Sequence, residues 1–248
     1  MTRRLLRMLW KLLKTERMKL KRSPVWLAFL IMPVIPAVLG TANFLANQGV
    51  LSMEWYSLWT QHTLFTDYFF LPIMLGVYCA YLMRLEHLNR NWNKIFALPV
   101  GRGLVFVAKF VTAAFLLLVS EAWIGALFVI SGCYVGLAAP PYRDIIIWCL
   151  FGTLGGMVMA AIQLVLSMLV QSFALPVGIS FAGGLSGLLF LAKDLGHIWP
   201  YSLMAYGMNS NARQVLTESG YLWFVAVCVL YIAAAVITGS ILAGKRDV

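Results

Sequence analysis

The apolar run from Val105 to Tyr134 constrains the fold of this chain more than any other feature. A helix of roughly 20 residues crosses the hydrocarbon core of a bilayer, which is about 30 Å thick, so this run is long enough to span a membrane. Glu121 then lies near the membrane midplane. A charged side chain at that depth costs on the order of 3 kcal/mol, and an acidic residue there is a functional-site hypothesis by default.

The composition extends this conclusion to the whole chain. Of the 248 residues, 62% are hydrophobic and 11% are charged, whereas roughly 25% of a soluble domain is charged. Most of the chain must therefore face lipid or other buried helices. We predict an all-α integral membrane protein with a single transmembrane domain over residues 1–248. Its first span is expected to be retained as an anchor, because no cleavage site follows it.

Hydropathy and basic residues together predict the topology. Six apolar segments are predicted to span the membrane: residues 24–45, 67–84, 106–133, 145–169, 174–193 and 221–243. If the N-terminus is cytoplasmic, three of the 19 Lys and Arg residues lie outside: Arg143, Lys193 and Arg213. Because basic residues concentrate in cytoplasmic loops, both termini are predicted to be cytoplasmic, in a multi-pass protein of the bacterial plasma membrane.

Residues 1–23 are predicted to form an interfacial helix ahead of the spans in residues 24–243. On a helix, the apolar residues of 3–14 fall on one face and the basic residues on the other, as in helices that lie flat against anionic lipid. The alternative is a soluble basic helix that binds an acidic partner. Within the first span, Pro33 and Pro36 are expected to produce a kink.

Two external loops are predicted to carry structure. The 46–66 loop has no basic residue and holds several aromatic residues, which favours an interfacial belt or a short surface helix. The 195–220 loop is the longest remaining external segment and is a candidate for a re-entrant turn.

The cytoplasmic loop over residues 84–104 mixes charged and apolar residues at helical spacing. Residues 84–97 are predicted to form a short amphipathic helix that Pro99 ends. Glu86 and Arg90 are four residues apart and are expected to pair on its surface. A helix held at the cytoplasmic ends of two spans offers a contact for another protein. The alternative is a solvated connecting loop.

Several stretches resemble those of a known transporter family. They are Thr15-Glu16-Arg17-Met18-Lys19-Leu20-Lys21-Arg22-Ser23, the loop with Glu86, Trp92, Leu98-Pro99-Val100 and Lys109, and Trp199-Pro200. With six spans and both ends inside, the chain resembles the permease subunits of type-2 ABC exporters. Its length, the Glu16–Ser23 stretch and Trp199-Pro200 look most like the permeases of lantibiotic-protection transporters.

The resemblance implies particular partners and roles. Such permeases pair, as two copies or two related subunits, and each binds a separate cytoplasmic ABC ATPase. ATP and magnesium belong to that ATPase, so no cofactor is expected in this chain. Residues 84–97 would be the coupling helix, and 170–173 a second cytoplasmic contact. The cargo would be a cationic antimicrobial peptide, expelled from the membrane for self-protection. The predicted ATPase-coupling residues are Glu86, Arg90, Trp92, Lys94 and Phe96.

Glu121 and Gln163 are the predicted intramembrane polar residues of a substrate path. On this interpretation, the acidic side chain faces a path between subunits and attracts a cationic substrate. The alternative is a protonated carboxyl group that is hydrogen-bonded to a neighbouring helix. Ser120 and Gln163 are the candidate partners in that case.

Catalysis within the chain is not predicted. The stretch from Gly239 to Arg246 almost matches a phosphate-binding loop. It has Arg246 after Lys245, however, where such a loop has the Ser or Thr that holds magnesium. Ser186 has no histidine on the last span to act as its base, and helix packing explains the nearby Gly184 and Gly187 better. The four cysteines are scattered singly, which argues against a metal site, and a nucleic-acid-binding face is not apparent. A stand-alone secondary transporter or channel is the remaining alternative, although no convincing internal repeat supports it.

Overall fold

The computed structural model describes residues 2–21, 23, 25–52, 54–88, 91–92, 100–210 and 218–245. Within these ranges the regular structure is helical, and six segments are long and apolar enough to cross a membrane. The prediction of an all-α integral membrane protein with six spans is confirmed.

Ten α-helices and one π-helical turn lie within the described residues. The α-helices are α1 (Thr2–Lys21), α2 (Val25–Ile31), α3 (Val34–Ala46), α4 (Trp55–Phe65), α5 (Leu71–His87), α6 (Arg102–Val135), α7 (Tyr142–Leu169), α8 (Ala174–Ala192), α9 (Leu203–Gly207) and α10 (Glu218–Lys245). The π-helical turn, Thr66–Phe70, joins α4 to α5 without a break. The first span consists of α2 and α3, the second runs from α4 through α5, and the other four are α6, α7, α8 and α10.

Helix α1 is longer than the 3–14 segment whose pattern predicted it. Leu5, Leu6 and Trp10 on this helix remain 47%, 60% and 71% exposed, as expected for side chains that enter the lipid interface. The predicted kink in the first span lies at Pro33, which separates α2 from α3, because proline cannot donate the backbone hydrogen bond of a helix interior.

The second span begins at Trp55 rather than at residue 67, so the prediction of a 46–66 external loop is wrong from Trp55 onward. Trp55 and Trp59 are buried, and both rings pack edge-on against Phe128 of α6, with centroids 5.4 Å and 4.8 Å from it. The indole N–H of Trp59 also donates to the Met208 carbonyl at 2.8 Å. These aromatic residues therefore hold helices together rather than forming a simple interfacial belt.

Residues 199–210 return into the helix bundle from the side that is external in the predicted topology. Leu203 and Met204 of α9 are fully buried, and the Tyr201 hydroxyl lies 2.9 Å from the side-chain amide of Gln163 on α7. Since Gln163 is 21 residues beyond the external start of α7, the segment reaches deep into the membrane. This is the re-entrant turn expected in the 195–220 loop, of which residues 211–217 lie outside the described residues.

Gly155 allows the re-entrant turn to approach α7. A Cβ atom at this position would lie 2.5 Å from the carbonyl carbon and oxygen of Leu203, and backbone atoms have little room to move. We expect Gly155→Ala to destabilise the folded protein by about 1–3 kcal/mol through overpacking. Thermal unfolding in detergent measures this change.

Gly178→Ala is the matched control, because Gly178 lies in α8 and its Cβ would meet nothing within 4 Å. This variant is expected to unfold at the wild-type temperature or slightly above it, as alanine favours helix. Equal unfolding temperatures for the two variants would contradict close packing of the re-entrant turn against α7.

Candidate functional site

Glu121 is fully buried within the third span. It lies 19 residues after the start of α6 and 14 before its end, or about 28 Å and 21 Å along the helix. Its side chain is 0% exposed, and neither carboxyl oxygen has a hydrogen-bond partner among the described residues. Buried polar groups are ordinarily hydrogen-bonded, so this orphaned carboxyl requires an explanation.

An apolar cleft of about 330 Å³ lies between α6 and α7 at this position. We call it the Glu121 cleft. Its two walls are facing rows of side chains at helical spacing, and Glu121 belongs to the α6 row. The other residues of that row are Leu118, Ala122, Gly125, Ala126 and Val129, and the α7 row includes Ile145, Ile146, Cys149, Leu150 and Thr153. The chemistry of the site is therefore one carboxyl group against an otherwise largely apolar surface.

Asp67 is a second buried acid near Glu121, and sequence reasoning missed it. It is 1% exposed and is close enough to Glu121 for their charges to interact. One carboxyl oxygen accepts a hydrogen bond from the Ser210 hydroxyl, whereas the other has no partner among the described residues. The signal was present in the sequence, but placing the second span at residue 67 put this acid at a boundary instead of inside a helix.

The partners expected for Glu121 are not the ones that the structure brings to it. The Ser120 hydroxyl donates to the backbone carbonyl of Leu116 at 2.9 Å, and Gln163 bonds to Tyr201 instead. The expectation that either residue pairs with Glu121 is therefore wrong. Gln163 is buried as an intramembrane polar residue, but it supports the re-entrant turn and does not line the Glu121 cleft.

A second polar cluster lies near those ends of the spans that are cytoplasmic in the predicted topology. We call Glu16, Lys19, Glu86 and Lys109 the cytoplasmic ion cluster. The fully buried Lys109 ammonium donates to Glu86 Oε1 at 2.7 Å, to Glu16 Oε2 at 3.1 Å and to the Leu82 carbonyl at 2.9 Å. Lys19 Nζ contacts Glu16 Oε1 at 2.8 Å and also Glu86.

The cytoplasmic ion cluster ties α1 to the second and third spans. Its two ammonium and two carboxylate groups balance in charge, which is the condition under which buried ions are tolerated. Although partial burial lowers the pKa of Lys19, the carboxylates of Glu16 and Glu86 outweigh it and raise the pKa above its ordinary value. The interfacial helix is thus fastened to the bundle through charge as well as through apolar contact.

The structure corrects the prediction for Glu86. It is 1% exposed and belongs to the last turn of α5, which continues through residue 84 to His87 as one helix. Its carboxylate faces Lys109 rather than the surface of a separate helix that starts at residue 84. Trp92 is also mostly buried, at 8% exposed, and its indole N–H donates to His87 Nδ1 at 3.4 Å. The other predicted coupling residues, Arg90, Lys94 and Phe96, lie outside the described residues.

The cytoplasmic ends of three spans meet beside this loop. His87 Nε2 lies 3.1 Å from the Ser167 carbonyl of α7. The Arg84 guanidinium stands 5.6 Å above the ring of Phe173, in the 170–173 segment that was predicted as a second cytoplasmic contact. A force applied near Trp92 or Phe173 would therefore reach α5, α7 and α8 through direct contacts.

Comparison with known proteins places this architecture in a family. The sequence model for the family described as "ABC-2 family transporter protein" matches residues 12–187. The chain belongs to this family. The match covers both the cytoplasmic ion cluster and Glu121, and it makes the chain a membrane permease of an ABC transporter that is not itself catalytic. No curated protein matches this ABC-2 permease with significant similarity.

Proposed function

We propose that this ABC-2 permease expels cationic antimicrobial peptides of the lantibiotic type from the bacterial plasma membrane and thereby protects the cell that carries it. A separate cytoplasmic ABC ATPase, which binds ATP and magnesium, would drive the export. A second permease, either identical or related, would complete the transmembrane part.

The observation that carries this proposal is the unpartnered carboxyl of Glu121 in the wall of an apolar cleft. A hydrophilic solute would find few hydrogen-bonding groups along these walls. A cationic amphipathic peptide would place its apolar side chains against the rows of α6 and α7 and its ammonium group near Glu121. The carboxylate then compensates for the desolvation of the cation, which is otherwise costly in hydrocarbon.

Contact with the ATPase is proposed for the loop after α5. Trp92 and the 170–173 segment support this choice, since both contact the ends of spans that must move during transport. Arg90, Lys94 and Phe96 remain proposed ATPase-coupling residues. Glu86 would act indirectly, because its bond to Lys109 transmits motion of α5 to α6 and, through Glu16, to α1.

Expression in a lantibiotic-sensitive bacterium tests the function. We expect the permease together with its ATPase to raise the inhibitory concentration of a cationic lantibiotic several-fold. The permease alone, or with an ATPase variant that cannot hydrolyse ATP, should give no protection. An uncharged membrane-active peptide is the control cargo, and its inhibitory concentration should not change.

Two outcomes would overturn the proposal. Protection without any ATPase would favour a stand-alone transporter of the secondary class. Equal protection against the charged and uncharged peptides would show that the negative charge of the cleft does not select the cargo.

A further inference from the structure

A second cavity, of about 690 Å³, lies on the cytoplasmic side between α1, the start of α2 and α6. Leu13, Arg17, Leu20 and Lys21 of α1 form one wall, at the i, i+4, i+7 and i+8 spacing of a single helix stripe. We propose that this cavity binds one anionic phospholipid, with its phosphate group at Arg17 and Lys21. This proposal does not depend on the peptide cargo.

The two cations are available for such a ligand. Arg17 and Lys21 are one helical turn apart and exposed, and neither forms an ion pair within the described part of the chain. The nearest acid along the helix, Glu16, already accepts from Lys19 and Lys109. The basic residues of α1 therefore differ in their surroundings. Lys19 is neutralised inside the bundle, whereas Arg17 and Lys21 line the cavity without an acidic partner among the described residues.

The rest of the cavity is shaped for hydrocarbon. Its α6 wall consists of Val111, Thr112, Phe115 and Leu116, and the Thr112 hydroxyl is satisfied by the Ala108 carbonyl at 2.8 Å. These residues lie 9 to 14 positions after the start of α6, which is about 14–21 Å along the helix axis. The cavity thus runs from the cations at headgroup level to apolar walls at acyl-chain depth.

Charge complementarity favours a phospholipid over a peptide cargo. Two unneutralised cations repel a cationic peptide, whereas basic pockets beside membrane helices on the cytoplasmic side attract anionic headgroups. The Trp26 indole at the rim donates to the Leu20 carbonyl at 2.8 Å and so fixes the turn from α1 into the first span. A lipid in this position would contact both α1 and α6, which the cytoplasmic ion cluster also joins.

Lipid retention tests the proposal. The full-length permease is reconstituted in vesicles of equal parts phosphatidylcholine and phosphatidylglycerol and is then extracted in mild detergent. Native mass spectrometry then counts the lipids that remain bound to each chain. We expect one retained phosphatidylglycerol per wild-type chain. Each basic residue near an anionic headgroup contributes about fivefold in affinity, so Arg17→Ala/Lys21→Ala should reduce retention about thirty-fold.

The matched control is Arg7→Ala/Lys14→Ala, which removes the same charges from exposed positions of α1 outside the cavity. This variant should keep the lipid. If both double variants lose phosphatidylglycerol equally, the lipid is held by general attraction to the basic surface and not by this cavity. If the wild-type protein retains no phosphatidylglycerol, the proposed site does not exist.

Two further arms identify the ligand. Val111→Trp places a large ring in the acyl-chain region while leaving both cations, and it should displace the lipid. Unchanged retention in this variant would contradict the proposed position of the chains. Excess glycerol phosphate should not displace the lipid; if it does, the cavity is a site for free phosphate groups rather than for a membrane lipid.

Discussion

Lys109→Met is expected to destabilise the folded permease by about 3–5 kcal/mol, because it leaves buried carboxylates without their main partner. Lys109 is 0% exposed and bonds both Glu16 and Glu86. Methionine has nearly the same length as lysine but no ammonium group. In this variant Lys19 would be the one remaining cation of the cluster beside the carboxylates of Glu16 and Glu86. The measurement is thermal or denaturant unfolding in detergent, together with the yield of monodisperse protein.

A double variant separates charge from packing in this prediction. Lys109→Met/Glu86→Gln removes one charge of each sign and leaves the Glu16–Lys19 pair intact, so it should recover a large part of the lost stability. Lys11→Met is the control on the exposed face of α1, where a substitution typically changes stability by less than about 0.5 kcal/mol. If Lys109→Met is as stable as Lys11→Met, the cytoplasmic ion cluster does not support the fold.

Glu121→Gln is expected to abolish most of the protection against a cationic peptide and to weaken the apparent affinity for that peptide by about thirty-fold or more, since losing one partner of a buried charge pair costs about 2–5 kcal/mol. The amide keeps the shape of the side chain and removes only the charge. The loss should appear as a higher peptide concentration for half-maximal stimulation of ATP hydrolysis, with basal hydrolysis unchanged. Glu54→Gln, the same change outside the hydrocarbon at the exposed N-terminal end of α4, should behave as wild type.

The unfolding assay distinguishes the two interpretations of Glu121. If Glu121→Gln lowers the unfolding temperature and the transport defect follows from it, the carboxyl is a contact between helices. Normal stability with lost transport supports a contact with cargo. Normal stability with normal transport would show that Glu121 has neither role.

Local features of the sequence were sufficient to predict that six segments are able to span the membrane. These features are the length of each apolar run, the distribution of basic residues and the position of Pro33. Each of them involves residues that are adjacent in the sequence, and each acts through its local environment in the membrane. The same reasoning placed the start of the second span 12 residues too late, because α4 contains enough polar residues to resemble a loop. Its Trp55 and Trp59 are buried only because Phe128 of another span lies beside them.

The sequence correctly predicted that Glu121 is buried inside a span, but it gave the wrong hydrogen-bond partners for this residue. Glu121 was identified because a carboxyl in an apolar run is unusual whatever surrounds it. Its proposed partners were wrong because neighbouring positions on a helix face different directions, so that Ser120 bonds its own helix while Glu121 faces α7. Asp67 became visible as its neighbour only when the two spans were packed together.

Taken alone, the sequence determined that this chain is a membrane protein with six candidate spans, a basic amphipathic helix before the first span and an acid within the third, since these features depend on runs of adjacent residues. Only the tertiary structure decided that Glu16, Glu86 and Lys109 form one cluster, that the re-entrant turn packs against Gly155, and that Glu121 lines a cleft without a hydrogen-bond partner among the described residues. These contacts join residues 23 to 93 positions apart. Such pairings depend on how whole helices rotate and cross, which no local pattern specifies.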